Sequence, residues 1–159
     1  MIISFFFIGL LLLVFLEVVL IWVFNQVAGL PVLNIGYLNA LLGFLAVAIG
    51  GFLVSWSVWI QYTEGKGTPA PMAATKKLII DGPYTFTRNP MTLGAAVFYL
   101  GIAIWLGSSV AIGLILLVFT ILLTYIYFHE TKELSQRFGK DYLEYKQKTP
   151  FLIPVFKKR

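Results

Sequence analysis

Four apolar stretches, residues 2–24, 37–60, 91–107 and 109–128, carry a single charged side chain among them, Glu17. A bilayer core about 30 Å thick takes about 20 helical residues per crossing, so each stretch reads as a transmembrane helix. With 12% charged and 59% hydrophobic residues, the chain also lacks the polar surface that a soluble domain needs. The expected fold is an all-α integral membrane protein of four transmembrane helices forming one membrane domain over residues 1–159. The first stretch has no basic leader and no small-residue cleavage site, and it is too long for a signal core, so it reads as a span.

All twelve Lys and Arg residues lie in two segments, 62–90 and 129–159. The connection 25–36 and the Leu106-Gly107-Ser108-Ser109 turn have none. By the positive-inside rule the basic segments and both termini face the cytoplasm. A net charge of +5 placed beside the spans suits anionic lipid headgroups rather than nucleic acid.

After the last span the residues Glu130, Leu134, Phe138, Tyr142 and Tyr145 follow spacings of four, four, four and three, which puts them on one face of an amphipathic C-terminal helix. The other face carries Glu133 with Arg137, Lys140 with Glu144 and Glu144 with Lys148, the i,i+4 pattern of a solvated helix. Gly139 is a point where this helix can break. Small residues in the second and third spans, Gly43, Ala46, Gly50, Gly94 and Gly101 among them, predict close helix packing. Glu17, in mid-span, has no basic partner in any span and is left outside the catalytic set.

The loop between the second and third spans ends in Asp81-Gly82-Pro83-Tyr84, a turn, and in Arg88-Asn89-Pro90, where Pro90 suits the first turn of the next helix. Tyr84, Arg88 and Asn89 from this loop, with Glu130, Tyr142, Tyr145 and Lys148 from the tail, can converge on one cytoplasmic pocket. A carboxylate and aromatic faces suit a cationic ligand, and an Arg suits a carboxylate or phosphate. Other chemistries are poorly supplied. There is no Cys, one His and no metal-ligand spacing, and Gly65-Lys66-Gly67-Thr68 lacks the rest of a phosphate loop. His129 reads as a polar residue at the membrane edge.

Gly65-x-Gly-Thr-Pro-x-Pro71, Gly82-Pro-Tyr84, Arg88-Asn-Pro-Met91 with Gly94, and Glu130-x3-Leu134-x3-Phe138-Gly139-x2-Tyr142-x2-Tyr145 with Pro150, taken in this order, resemble the isoprenylcysteine carboxyl methyltransferase family, in particular its short prokaryotic members. The resemblance covers about residues 62–154 and implies a multi-pass enzyme of a prokaryotic plasma membrane. It implies that S-adenosylmethionine binds in a region formed by 62–90 and 129–154, and that a lipophilic acceptor enters from the bilayer. Carried over by position, it implies cofactor-binding roles for Gly82, Pro83, Tyr84, Asn89, Pro90, Glu130, Tyr142 and Tyr145. Arg88 and Glu130 become the catalytic candidates, and Arg88 and Lys148 the acceptor-binding ones. The chain departs from the family at Asn89, where His is common, at Thr131, where a second Glu is common, and at Lys148, where Arg is common. Asn-Pro-Met is also similar to the related phospholipid N-methyltransferases. A nicotinamide-dependent membrane reductase and a non-catalytic membrane module are the readings from other classes.

Overall fold

The computed structural model describes residues 16, 18–23, 33–65 and 77–154, and the side chain of Glu130 lies outside what it describes. Most of the expected first span, Glu17, and the Gly65-x-Gly-Thr-Pro motif beyond Gly65 fall outside the described residues. Among those described, every element is helical. Helix α1 is Tyr37–Thr63, α2 is Pro90–Trp105, α3 is Ser109–Tyr125 and α4 is Thr131–Lys148. A 3-10 turn at Gly82–Thr85 precedes α2, and a π-helical turn, Ile126–Glu130, joins α3 to α4.

Two of these helices, Tyr37–Thr63 and Ser109–His129, are long and apolar enough to cross a membrane. The expected spans 37–60 and 109–128 correspond to them. The expected span 91–107 is the 16-residue α2. At 1.5 Å per residue it rises about 24 Å, less than the hydrocarbon core. Its end is set by Gly107, whose φ of 65° is the left-handed geometry that glycine adopts freely. Gly107 N–H donates to Ile104 O and Ser108 N–H to Ala103 O, both at 3.0 Å, the paired bonds of a Schellman stop. Ser108 then caps α3, its Oγ accepting from Ala111 N at 3.3 Å. The turn expected from Leu106 to Ser109 is therefore a helix stop followed directly by a helix start.

The chain divides into two compact units, Met1–Ile49 with Ala96–Leu117, and Gly50–Ala95 with Val118–Arg159. In the first, the opening of α1 meets the end of α2 at backbone distance. A Cβ on Gly43 would lie 2.6 Å from Trp105 Cβ, and one on Gly101 would lie 2.7 Å from Val47 N. Buried Asn39 pins this end, its Nδ2 donating to Leu33 O at 2.7 Å and to Ile104 O at 2.8 Å. Ile104 O, which already accepts from Gly107 N–H, takes the Asn39 amide as a second donor, so the buried amide is satisfied at the end of α2.

The second unit holds the loop and the tail. Gly94 abuts α1, where a Cβ would stand 3.0 Å from Gly50 O and Val54 N. Thus the small residues expected to pack helices do so in both units. The 3-10 turn begins at Gly82 with φ 60°, and Pro83 follows as its second residue, where its fixed φ and missing N–H suit a first helical turn. Gly82 backs onto Ile60, because a Cβ there would reach Ile60 Cγ1 at 2.9 Å. At Gly139, φ 53° and ψ −124° interrupt the tail helix where the sequence allowed a break.

Candidate functional site

Within the second unit, an open cleft of about 560 Å³ lies between the end of α1, the loop before α2, the π-helical turn and α4. The apolar stripe of α4 forms one side, with Leu134, Phe138, Tyr142 and Tyr145 all lining it. The opposite face behaves as solvated surface. Glu133 pairs with Arg137 at 3.4 Å and Glu144 with Lys148 at 3.7 Å, whereas Lys140 and Glu144 form no ion pair among the described residues.

Tyr84, Arg88 and Asn89 line the facing side. Arg88 is held from several directions. Its backbone N–H donates to Pro150 O at 2.9 Å, its Nη1 donates to the Tyr142 hydroxyl at 3.1 Å, and its guanidinium carbon lies 5.4 Å from the centre of the Phe151 ring. Its Nε is buried and has no hydrogen-bond partner among the described residues. Among the described residues no carboxylate pairs with Arg88. A charged N–H without an acceptor costs more than a neutral one, so the guanidinium as a whole, which lines the cleft, is suited to an anion.

Tyr84 and Tyr145 are linked, the Tyr145 hydroxyl donating to the Tyr84 backbone oxygen at 2.7 Å. Burial first, and then the neighbouring Tyr84, raise the Tyr145 pKa, while Arg88 pulls it the other way. The folded state thus holds this proton more tightly than the unfolded chain, where a tyrosine titrates near pH ~10. The corresponding stability is complete below that pH and is lost as pH rises through the folded value. Tyr145→Phe, which forgoes a hydrogen bond worth about 1 kcal/mol, is expected to be less stable than wild type at neutral pH. The gap should narrow between about pH 9 and about pH 11 in thermal unfolding; a constant gap would contradict this assignment.

The remaining expected site residues take other positions. Pro83 and Pro90 are buried and shape the loop. Gly82 packs on Ile60. The Asn89 amide, which lines the cleft, donates to Phe151 O at 2.9 Å and so fixes the chain after α4. Lys148 does not reach the cleft; it is exposed and pairs with Glu144, because the stripe that faces inward ends at Tyr145. The backbone of Glu130 closes the π-helical turn, a kind of helix distortion often found at functional sites. His129 is exposed and stacks on Tyr125 at 4.6 Å, away from the cleft lining.

Among the lining residues that escaped sequence reasoning are Gln61 and Phe151. Gln61 Nε2 donates to the Tyr84 hydroxyl at 2.6 Å. Its signal was a carboxamide one residue past the apolar run 37–60. Phe151 had only its place after Pro150 to recommend it.

The fold matches the solved structure of a eukaryotic intramembrane Ras methyltransferase, isoprenylcysteine carboxyl methyltransferase, with a TM-score of 0.68 and 21% sequence identity. The match covers 88% of this chain and 51% of the other, so the chain spans about half the length of that protein. No curated protein matches the sequence. The phospholipid methyltransferase family model matches residues 38–141, from the start of α1 to the middle of α4, and the chain belongs to that family.

Proposed function

We propose that the protein is a membrane-embedded, S-adenosylmethionine-dependent methyltransferase that esterifies the carboxylate of a lipophilic, isoprenylcysteine-like acceptor drawn from the bilayer. The observation that carries this reading is Arg88, a guanidinium whose buried Nε has no partner and which has no carboxylate beside it among the described residues, at an aromatic-walled cleft. Such an environment favours an anionic acceptor group over an ammonium.

The residues present also fit the cofactor. Aromatic faces at Phe138, Tyr142 and Tyr145 suit an adenine ring and a sulfonium cation. Gln61 and Tyr84 supply polar groups, while Glu130 is assigned to the cofactor's ammonium or ribose. When bound, S-adenosylmethionine supplies a methyl group already activated on sulfur, leaving positioning and water exclusion to the protein. Arg88 orients the acceptor carboxylate, and the buried tyrosines keep water from it. A carboxylate, with an ordinary pKa near ~4, is ionised at neutral pH and needs no general base.

N-methylation of a phosphatidylethanolamine-type headgroup is the second reading, favoured by the family model. An amine acceptor is mostly protonated at neutral pH and requires a base. His129 stands off the cleft lining, so Glu130 would have to serve. In either case the basic segments 62–90 and 129–159 are assigned to anionic lipid headgroups.

Isothermal titration calorimetry of protein in lipid nanodiscs tests the cofactor. Wild type should bind S-adenosylmethionine and its demethylated product but not NADPH, and Glu130→Ala should weaken binding about tenfold, as expected for losing one charge-assisted contact. Failure of wild type to bind either methyl-cycle ligand would reject the proposal.

A further inference from the structure

The short segment after α4 belongs to the site. Thr87 Oγ1 and Asn89 Nδ2 both donate to Phe151 O, at 3.2 and 2.9 Å, and Arg88 N–H donates to Pro150 O at 2.9 Å. Three consecutive loop residues therefore clamp two consecutive residues of the segment. The clamp is dry, with Thr87 only 1% exposed. It sets the Phe151 ring over the Arg88 guanidinium, and Tyr127 supports that ring edge-on at 5.3 Å.

Around Arg88 the approaches are divided. Tyr142 occupies Nη1, Phe151 covers a face, and the buried Nε has no partner among the described residues. An anion must reach the guanidinium alongside the ring. A small hydrated anion brings water against the ring and gains nothing from it. An anion joined to an apolar stem can lay the stem on the ring and keep the guanidinium dry, which strengthens the ion pair.

We infer that Phe151 is the residue that selects the acceptor, passing lipophilic carboxylates and rejecting short ones. The inference rests on the methyltransferase reading for its biological meaning, but the selectivity itself is a binding property and can be measured without methyl transfer.

The probes are N-acetyl-S-farnesylcysteine and N-acetyl-S-propylcysteine, titrated calorimetrically into wild type, Phe151→Ala and Phe151→Leu in nanodiscs of one lipid composition. Partition of the farnesyl probe into lipid is then common to all three proteins and cancels in the comparison. Phe151→Ala should reduce the ratio of farnesyl to propyl affinity about tenfold, as expected for one apolar contact, with S-adenosylmethionine affinity unchanged. Phe151→Leu, which keeps the apolar bulk, should hold the ratio within about twofold of wild type and controls for folding. An unchanged ratio in Phe151→Ala would overturn the inference, as would a loss of cofactor affinity, which would move Phe151 to the cofactor wall. A changed ratio in a protein that transfers no methyl group would uphold the selectivity while rejecting the enzyme.

Discussion

Arg88→Ala is expected to lower kcat/KM for a lipophilic carboxylate by about 10²–10³-fold, the usual effect of removing a preorganised charge-stabilising donor. The substitution leaves the backbone in place, since the Arg88 N–H to Pro150 O bond does not involve the side chain. Cofactor affinity, assigned mainly to Glu130 and the aromatic wall, should change little. Arg88→Lys should recover only part of the loss. A lysine is a point charge without a planar fork, and it cannot both donate to Tyr142 from one nitrogen and present a second N–H edge. Initial rates with labelled S-adenosylmethionine at several acceptor concentrations separate kcat from KM. An Arg88→Ala protein with wild-type rates would reject the role given to the guanidinium.

The largest effect on stability should come from Gly101→Val. A Cβ at this position would meet Val47 N at 2.7 Å, Ala46 Cβ at 2.9 Å and Gly43 O at 2.9 Å. Two of these three are backbone atoms, which cannot rotate away, so α1 and α2 would have to separate locally. Overpacking typically costs about 1–3 kcal/mol, and the backbone contacts put this case at or above the upper end. Gly113→Ala is the matched control, because a Cβ there meets nothing within 4 Å. The test is thermal unfolding followed by monodispersity in detergent. Gly101→Val should lose most of its folded fraction while Gly113→Ala keeps it, and equal behaviour would show that the close approach does not hold the helices together.

The parts of the fold that were legible in the sequence share a simple physical origin. Apolar length located α1 and α3, and the four-four-three spacing of Leu134, Phe138, Tyr142 and Tyr145 picked out the face of α4 that lines the cleft. Glycine and proline chemistry placed the turn at Gly82-Pro83 and the start of α2 at Pro90. What sequence spacing could not supply was contact between distant segments. Lys148 was an acceptor-binding candidate because it stands where the resembled family commonly has Arg, but it lies outside the cleft lining, exposed and paired with Glu144. Asn89 looked like a cofactor ligand by position, yet its amide is spent on the backbone oxygen of a residue 62 positions later. Gln61 and Phe151 gain their importance only when the end of α1 and the segment after α4 are brought to the same loop.

The Arg88 environment also separates the two acceptor readings chemically. A carboxylate is attracted by the Arg88 guanidinium, whose charge no described carboxylate offsets, whereas an ammonium would be repelled by it and would need a base on the opposite wall. Incubating the reconstituted protein with methyl-labelled S-adenosylmethionine and a total membrane lipid extract, then treating the products with base, distinguishes them most directly. Methyl esters release labelled methanol under base and N-methyl groups do not. The account predicts base-labile label that depends on Arg88. Label that is stable to base and travels with phospholipid, or no transfer at all by a protein that binds the cofactor, would contradict it.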